Sequence, residues 1–462
     1  MSTLHELGGW IERRLPDLLA ENDVPAASVA VYAKGEYFTF AAGVLNRATG
    51  VEADVDSVFQ IGSITKVWTT TLAMQLVDEG LLDLDAAVRV YLPTFALADE
   101  EAAAAITVRQ LMCHQAGFEG DYFTDTGRGE DAVAKFVDTL ADVPQLFAPG
   151  EMFSYNNAAF CVLGRIVEVL RDKDYGRCLQ EHLFAPLGLA HAAPSPYEAI
   201  LFRAAAGHLR PEPGAAPETA HAWALTPSNA PAGSMLAMRP RDLVEFGRMH
   251  LRDGEGPDGV TVLSAASARL MREPQTEVPD LGGFADAWGL GWAIDHWEGG
   301  TAVGHDGGTL GQTAFFRIAP EHDVAVAVLT NGGDPLALYH EIFARAFGDL
   351  AGLGVPPAAV PNPAAEPVDA SRYVGEYSSA AITSVVTQDE DGRIWLRRTP
   401  KGVFADLKGL DDRIELVAHG EDTLIAVEPF NGMHMAHAFV GDDGTGRARF
   451  LHTGRADRRV EP

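Results

Sequence analysis

The chain has few cysteines and no long apolar run. Three cysteines occur in 462 residues, Cys113, Cys161 and Cys178, and they are odd in number and not closely paired. This usage argues against a disulfide framework and against a zinc site, so we interpret them as reduced, mostly buried thiols. No stretch approaches the roughly 20 consecutive apolar residues that a membrane-spanning helix needs. We expect no metal and no other cofactor.

Basic residues are also scarce. Lysine and arginine total 35 against 65 acidic residues, a formal net charge of -30. Such a charge repels phosphate backbones and anionic bilayers, so we expect neither nucleic acid nor membrane among the partners. Residues 1–22 lack the apolar core and cleavage site of a secretory signal and instead show the spacing of an amphipathic helix. We therefore expect a cytoplasmic protein.

The order of the predicted elements indicates the fold class. Alternation over residues 25–45 around Lys34-Gly35 predicts a β-hairpin, and a helical pattern from Ser63 to about Glu79 opens a helix-rich region that ends near residue 250. The pattern then predicts four strands and a last helix, at 288–294, 301–305, 312–318, 324–330 and 335–347. Distant strands must pair to form one sheet. We predict an α/β (α+β) domain, an antiparallel sheet flanked by helices with a helical subdomain beside it.

A second domain is predicted at the C-terminus. Residues 353–370 are rich in proline and lack periodicity, which is typical of a stiff linker. About eight short segments of period two follow, separated by turn signals such as Asp391-Gly392, and predict a small antiparallel β-barrel. We predict a catalytic domain at 1–352, a linker at 353–370 and a barrel at 371–462.

A serine and a lysine at the start of a helix form the first candidate for chemistry. Ser63 and Lys66 are three residues apart, so their side chains project from the same face of a helix. Burial lowers the pKa of an amine toward neutrality, and a neutral amine can take the proton of a serine hydroxyl. An S-x-x-K match alone is weak, because an N-terminal serine followed by a surface lysine is common.

Two further segments strengthen this interpretation. After a Pro149-Gly150 turn come Tyr155, whose phenol can relay a proton, and Asn157, whose amide can orient a substrate or the lysine. Residues 304–308, Gly-His-Asp-Gly-Gly, lie on a predicted strand, where glycine lets a substrate approach the backbone. The N–H groups of Gly308 and Ser63 could together form an oxyanion hole.

These residues resemble the three motifs of the class C β-lactamase and penicillin-binding-protein superfamily, in that family's chain order. The matching segments are Ser63-Ile64-Thr65-Lys66, Tyr155-Asn156-Asn157 and His305-Asp306-Gly307. The segment 111–117, with His114, and the turn 231–235 are similar to further family segments, so the resemblance covers residues ~10–350. We expect His114 itself to satisfy backbone groups in the core.

The resemblance implies a role for each residue. Ser63 is then the acylated nucleophile, Lys66 and Tyr155 share acid–base work, and His305, also expected to be catalytic, lines the far wall. Asn157 contacts the substrate or Lys66, and Gly307 and Gly308 bind the substrate. Penicillin-hydrolysing members usually carry lysine where His305 stands. Histidine is found in the family's esterases, D-amino-acid peptidases and peptide-cyclising thioesterases, so resistance to penicillins is not expected.

The predicted barrel and the expected lack of an export signal indicate which type of enzyme within the superfamily this chain resembles. Together with His305 they resemble the stand-alone penicillin-binding-protein-type thioesterases, which carry a lipocalin-like domain. The resemblance implies a peptidyl substrate presented on a carrier protein of a nonribosomal peptide synthetase and released as a macrocycle. The cluster of Arg455, Arg458 and Arg459 could reach the site and bind a carboxylate. The alternative is a cytoplasmic esterase or D-stereospecific amidohydrolase of the same fold.

Overall fold

The computed structural model describes residues 3–212, 214–362, 364–365, 368–402, 405, 413–430 and 432–460. The helices of this part of the chain are α1 Thr3–Glu21, α2 Thr65–Asp78, α3 Glu100–Ala105, α4 Val108–Met112, α5 Ala132–Asp138, α6 Asn157–Arg171, α7 Tyr175–Leu179, α8 Ala185–Leu187, α9 Pro196–Ala199, α10 Pro240–Leu251, α11 Ala265–Leu270 and α12 Leu336–Ala351. A π-helical turn, Gln180–Phe184, joins α7 to α8.

The strands before the last helix belong to one large sheet and two small ones. In chain order they are β1 Ala26–Ala33, β2 Glu36–Asn46, β3 Val51–Glu52, β4 Phe59–Gln60, β5 Ala192–Ala193, β6 His208–Leu209, β7 Glu218–Thr219, β8 Ala237–Met238, β9 Thr276–Glu277, β10 Ala287–Trp288, β11 Ala293–Trp297, β12 Gly300–Gly308, β13 Thr313–Ala319 and β14 Val324–Thr330. The large sheet has the order β3-β2-β1-β14-β13-β12-β11-β10-β9, while β4-β8-β5 and β6-β7 form the small ones.

The large sheet is antiparallel where its core strands pair, and it brings the two ends of the catalytic region together. Strand β1 pairs with β14, so that Val29 lies opposite Val328 across almost 300 residues of chain. The predicted hairpin is confirmed: β1 and β2 are joined by Lys34 and Gly35, both at positive φ. That turn geometry matches the twist of the paired strands.

One predicted strand is wrong in detail. The segment 288–294 forms the end of β10 and the start of β11, because the chain turns where the N–H of Gly289 donates to the carbonyl of Trp292. Gly291 sits at φ +78° in this turn, a conformation that favours glycine. Trp288 and Trp292 are therefore separated by a turn and do not share one strand.

Helices cover both faces of the sheet. On one face, Leu7 and Ile11 of α1 and Phe343 and Phe347 of α12 pack with apolar residues of β1 and β14. On the other face lies the larger core, to which α2, α6 and α10 contribute Trp68, Phe160 and Phe246. Burial of such large side chains stabilises the fold by roughly 1.5–3 kcal/mol each. Helix α2, which is buried from Thr65 to Leu76, follows the candidate nucleophile segment directly and lies in this core.

The C-terminal strands form a closed barrel, as predicted. They are β15 Gly375–Ser378, β16 Ile382–Gln388, β17 Ile394–Pro400, β18 Arg413–Gly420, β19 Thr423–Ala426, β20 Ala436–Val440, β21 Phe450–His452 and β22 Ala456–Arg459. Pairing of β15 with β22, Tyr377 opposite Arg459, closes it. Closure leaves no free sheet edge.

The predicted domain limits of 1–352, 353–370 and 371–462 stay predictions. Helix α12 ends at Ala351 and β15 begins at Gly375, and Pro363, Glu366 and Pro367 of the predicted linker lie outside the described residues. In the described part of the chain no helix is both long and apolar enough to cross a bilayer.

Candidate active site

Ser63 and Lys66 meet where the large sheet contacts helix α2. Ser63 lies in the 3₁₀ turn Gly62–Ile64, and the α-helix begins at Thr65, slightly later than the pattern predicts. The Nζ atom of Lys66 donates to Oγ of Ser63 at 3.0 Å and to the carbonyl of Ala232 at 2.7 Å. The predicted proximity of amine and hydroxyl is therefore present in the structure.

The surroundings of Lys66 change its acid–base behaviour. Its side chain is fully buried. Burial lowers the pKa of the Lys66 amine to about 7, since removal from water disfavours the charged form. A large fraction of this amine is thus neutral at physiological pH and can accept the proton of Ser63.

Strand β12 reaches the nucleophile through a glycine. A Cβ atom on Gly307 would lie 1.9 Å from the carbonyl oxygen of Ile61 and 3.0 Å from the backbone nitrogen of Ser63, so no larger residue fits without a shift of the backbone. Gly62 packs against the same strand, with the Gly308 nitrogen 2.6 Å from the position of its missing Cβ. This approach places the Gly308 and Ser63 segments side by side, as the predicted oxyanion hole requires.

Tyr155 lies on the other side of Lys66. Its phenol hydrogen-bonds to Ser63, and Nζ of Lys66 lies 4.8 Å from the centroid of its ring. Burial raises the pKa of Tyr155 well above its ordinary value, despite the lowering effect of that hydrogen bond. The phenol therefore keeps its proton at neutral pH and can pass one proton on while receiving another.

His114 supports Tyr155 from behind. Its ring stacks on that of Tyr155 with centroids 4.3 Å apart, and its Nδ1 accepts the backbone N–H of Asn156 at 2.9 Å. Burial holds its pKa well below the ordinary value, so the ring is neutral. The expected contact with backbone groups is present, but the stacking under Tyr155 is not predicted by the sequence.

His305 lines the site on strand β12. Its Nδ1 lies 2.6 Å from the carbonyl oxygen of Asp306, which can only accept, so Nδ1 carries the proton. Burial lowers its pKa to about 3, with the charge of Lys66 as the second cause. The ring is neutral at physiological pH and cannot supply the fixed cation that lysine would place here. Its edge faces Trp288, with ring centroids 5.4 Å apart.

Asn157 forms a hydrogen bond with Asp121. Its Nδ2 donates to Oδ1 of Asp121 at 2.8 Å, and Asn156, just before it, caps helix α6 by accepting the N–H of Ala159. The other carboxylate oxygen of Asp121 pairs with Nε of Arg455 at 2.5 Å. The predicted role of Asn157 toward substrate or lysine stays a prediction.

The barrel forms part of the site. The turn between β21 and β22 lies along the segment that ends in Tyr155: the N–H of Tyr155 donates to the carbonyl of Gly454 at 2.9 Å, and the N–H of Ala456 donates to Oγ of Ser154 at 3.1 Å. The guanidinium of Arg455 stands 4.9 Å from the centroid of the Tyr155 ring. The barrel thus fixes the backbone of Tyr155 and adds a cation beside it.

The three arginines of the predicted cluster lie in different surroundings. Arg455 reaches the site, but Arg459 closes the barrel, where it donates to the carbonyls of Val374 and Ala448. Arg458 is exposed. The structure also adds Asp121, which the sequence argument missed because a lone aspartate in a loop carries no motif.

The remaining candidates for metal or nucleophilic chemistry are not supported by the geometry. In the described ranges no group of three or more His, Cys, Asp or Glu side chains is arranged to hold a metal ion. The three cysteines are free and buried, as expected, and burial raises the pKa of each thiol to about 12. Thiols of this kind are inert toward substrates at neutral pH.

Known proteins are similar to this chain in amino-acid sequence and in fold. Residues 11–347 match the model of the Beta-lactamase family. Penicillin-binding protein 4 of Amycolatopsis lactamdurans is 44% identical over 369 residues, 80% of this chain and 96% of that protein. The crystal structure of SurE is 29% identical and superimposes with a TM-score of 0.80, covering 99% of this chain and 100% of that chain.

Two further structures extend the comparison. SurE with D-Leu gives a TM-score of 0.77 at 28% identity, over 99% of this chain and 100% of that chain. The D-amino acid amidase of Ochrobactrum anthropi SV3, at 23% identity, shares the fold over 75% of this chain and 99% of its own, with a TM-score of 0.62. The motifs, the sheet and the family match agree, and the chain belongs to the Beta-lactamase family.

Proposed function

We propose that this β-lactamase-fold serine enzyme accepts a peptidyl group from a carrier-protein thioester and releases it as a macrocyclic peptide. The hydroxyl of Ser63 attacks the thioester carbonyl, the C–S bond breaks and the carrier thiol leaves with a proton. The amine of the peptide then attacks the Ser63 ester, an amide bond forms and Ser63 recovers its proton. The carrier protein is thus the proposed partner, and the reaction belongs in the cytoplasm.

The proton steps follow from the pKa values of the site. Neutral Lys66 takes the proton of Ser63 during acylation, because its pKa lies near 7 and its Nζ touches Oγ. Tyr155, which keeps its proton and also bonds to Ser63, relays a proton to the leaving thiol and later removes one from the attacking amine.

The contact of Gly454 with Tyr155 is the observation that carries the proposal. In the proposed enzyme, the barrel turn that hydrogen-bonds the backbone of Tyr155 covers the site beside this residue. Enclosure excludes water from an acyl-enzyme, which favours transfer to an amine over hydrolysis. Likeness to SurE over both the sheet and the barrel, including its structure with D-Leu, supports a peptide acyl donor that ends in a D-residue.

The alternative is a cytoplasmic esterase or D-stereospecific amidohydrolase. The fold shared with the D-amino acid amidase favours this reading, since Ser63, Lys66 and Tyr155 serve equally well when water is the acceptor. The two functions differ in the product and in the acceptor, not in the acyl-enzyme.

A synthetic peptidyl thioester tests the proposal. We expect the enzyme to convert a peptide thioester with a C-terminal D-residue and a free N-terminal amine into the cyclic amide, detected by mass spectrometry as the loss of the thiol without the gain of water. The matching L-residue thioester should react much more slowly, and Ser63→Ala should form neither product nor acyl-enzyme. Linear acid as the sole product would support the hydrolase instead.

A further inference from the structure

Asp121 connects two parts of the site. One carboxylate oxygen accepts the amide N–H of Asn157 at 2.8 Å, and the other pairs with Nε of Arg455 at 2.5 Å. Asn157 begins helix α6 in the catalytic region, whereas Arg455 lies in the barrel. Asp121 therefore contacts both Arg455 of the barrel and Asn157, the first residue of the helix that follows Tyr155.

The ion pair determines where the guanidinium lies. Arg455 has four rotatable side-chain bonds, and its side chain is 43% exposed, whereas that of Asp121 is 7% exposed. A nearly buried carboxylate attracts a guanidinium and limits the positions that its long side chain can take, here by charge and without an aligned hydrogen bond from Nε. Here the guanidinium stands 4.9 Å from the Tyr155 ring centroid, and Nζ of Lys66 lies 4.8 Å from the same centroid.

A second barrel contact shows that joining the domains does not require this pair. Arg449 of the barrel pairs with Glu151 at 2.7 Å, and both side chains are partly exposed, 40% and 32%. The N–H of Ala380 donates to the buried Glu119 as well. The barrel is thus anchored at several points, and the Asp121–Arg455 pair differs from the Arg449–Glu151 pair in lying on Tyr155.

We propose that Asp121 is a positioning residue that holds the guanidinium of Arg455 over Tyr155 and thereby aligns the acceptor side of the site for acyl transfer. This role builds on the proposed acyl-transfer function. Asp121 acts through Arg455 and touches no reacting atom.

The charges of the pair have opposite effects on Tyr155. The cation of Arg455 lowers the pKa of the phenol, while the charge of Asp121 raises it. If Arg455 leaves its position, Tyr155 loses a neighbouring positive charge in a buried site, and proton removal from the phenol becomes harder. Loss of the anchor therefore affects proton transfer and the placement of the acceptor together.

The test uses the full-length chain with Asp121→Asn, Arg455→Ala and the double variant. Asparagine keeps an oxygen that can accept from Asn157 but removes the ionic bond to Arg455. Glu151→Gln is the matched control, since it removes the other ion pair between barrel and catalytic region. The rates of macrocycle and linear-acid formation are measured with the D-terminal peptidyl thioester, together with the thermal midpoint of each variant.

We expect Asp121→Asn and Arg455→Ala each to lower kcat/KM for macrocycle formation about tenfold, the loss of one charge-assisted contact, and to raise the share of linear acid. The double variant should be no slower than Arg455→Ala, because both changes remove one interaction. Glu151→Gln should stay within twofold of the wild type.

Independent, multiplying effects in the double variant would overturn the proposal, as would an equal loss in Glu151→Gln. If the wild type gives only linear acid, the cyclase function fails, and the same comparison of the four variants is then made on the hydrolysis rate, where the same non-additivity is expected. The two failures are therefore distinguishable.

Discussion

Lys66 illustrates how burial sets the chemistry of a single residue. A lysine in water is charged up to about pH 10 and is a poor base at neutral pH. In this protein the side chain is enclosed by the larger core, and its ammonium form has lost most of its solvation. The position of the amine next to Ser63 then makes that neutral form useful.

The pH dependence of acylation follows from this shift. Because the base form of Lys66 is required, we expect the acylation rate to rise with pH through a single limb centred at about 7 and to be flat above it until the fold is lost. Single-turnover release of a chromophore from an uncharged ester, between pH 5 and 9, measures the limb. A limb near pH 10 would show that the amine is not desolvated during catalysis.

Tyr155 is the second residue with a testable role. Tyr155→Phe keeps the ring that stacks on His114 but removes the hydroxyl that bonds Ser63, so the fold should persist while turnover falls by about 10²–10⁴-fold. The measurement is kcat/KM together with circular dichroism. Tyr197→Phe, at a tyrosine that is 66% exposed, serves as a control and should keep full activity. An unchanged kcat/KM in Tyr155→Phe would show that a group other than the Tyr155 hydroxyl relays the proton.

At the scale of elements, the approach of β12 to the nucleophile turn depends on glycine. The turn Gly62–Ile64 and the strand Gly300–Gly308 lie so close that the missing side chain of Gly307 is a requirement of the fold. Close packing transmits any displacement there directly to Ser63.

A single methyl group should therefore disturb the site. We expect Gly307→Ala to lower the acylation rate at least tenfold and to destabilise the protein by roughly 1–3 kcal/mol, because its Cβ would overlap the carbonyl of Ile61. Urea unfolding and acylation kinetics check this. Gly348→Ala, in helix α12 with open space around the added carbon, should leave acylation unchanged and should not destabilise the protein, because alanine favours a helix over glycine. A fully active Gly307→Ala enzyme would mean that the strand can move away at little cost.

The elements also show where sequence patterns suffice. The hairpin of β1 and β2 and the helix α2 depend on local signals, turn residues and helical periodicity. The hairpin appears where the pattern places it, and the helix begins at Thr65 rather than at Ser63. The segment 288–294 has no proline to mark its break, so its alternation predicts one strand, while the fold needs a turn that returns the chain from β10 to β11. The break between β10 and β11 therefore depends on how the strands pair in the sheet.

At the scale of the whole molecule, carboxyl groups are buried in the seam, the contact between the barrel and the rest of the chain near Asp457 and Glu119. Asp457 in β22 is 4% exposed, and burial raises its pKa to about 7. A hydrogen bond with Ser379 has the opposite, smaller effect of lowering this pKa. Glu119 on the catalytic side is also buried, and burial raises its pKa. These carboxylates make the seam sensitive to pH.

The raised pKa of Asp457 makes the folded protein less stable at higher pH. An unfolded aspartate has a pKa of about 4, so between about pH 4 and 7 the folded protein holds a proton on Asp457 that the unfolded chain has lost, and stability falls as pH rises through this window. Asparagine has no such dependence. We expect Asp457→Asn to gain stability over the wild type from pH 5 to pH 8, on the order of 2 kcal/mol.

Thermal or urea unfolding of both proteins across that range measures the difference. Asp391→Asn, at an exposed turn aspartate of the same barrel, is the control and should run parallel to the wild type. A gap between Asp457→Asn and the wild type that is constant with pH would show that the buried carboxylate does not titrate in this window.

The sequence by itself determined the candidate nucleophile segment, the family, the mixed fold and the barrel, because each depends on short-range patterns or on ordered motifs. Only the tertiary structure decided that the barrel turn holds Tyr155, that His114 stacks beneath it and that Asp121 ties Arg455 to Asn157. Those contacts join residues about 40 to 330 positions apart. Such contacts leave no local pattern, since they exist only when burial and chain closure bring distant segments together.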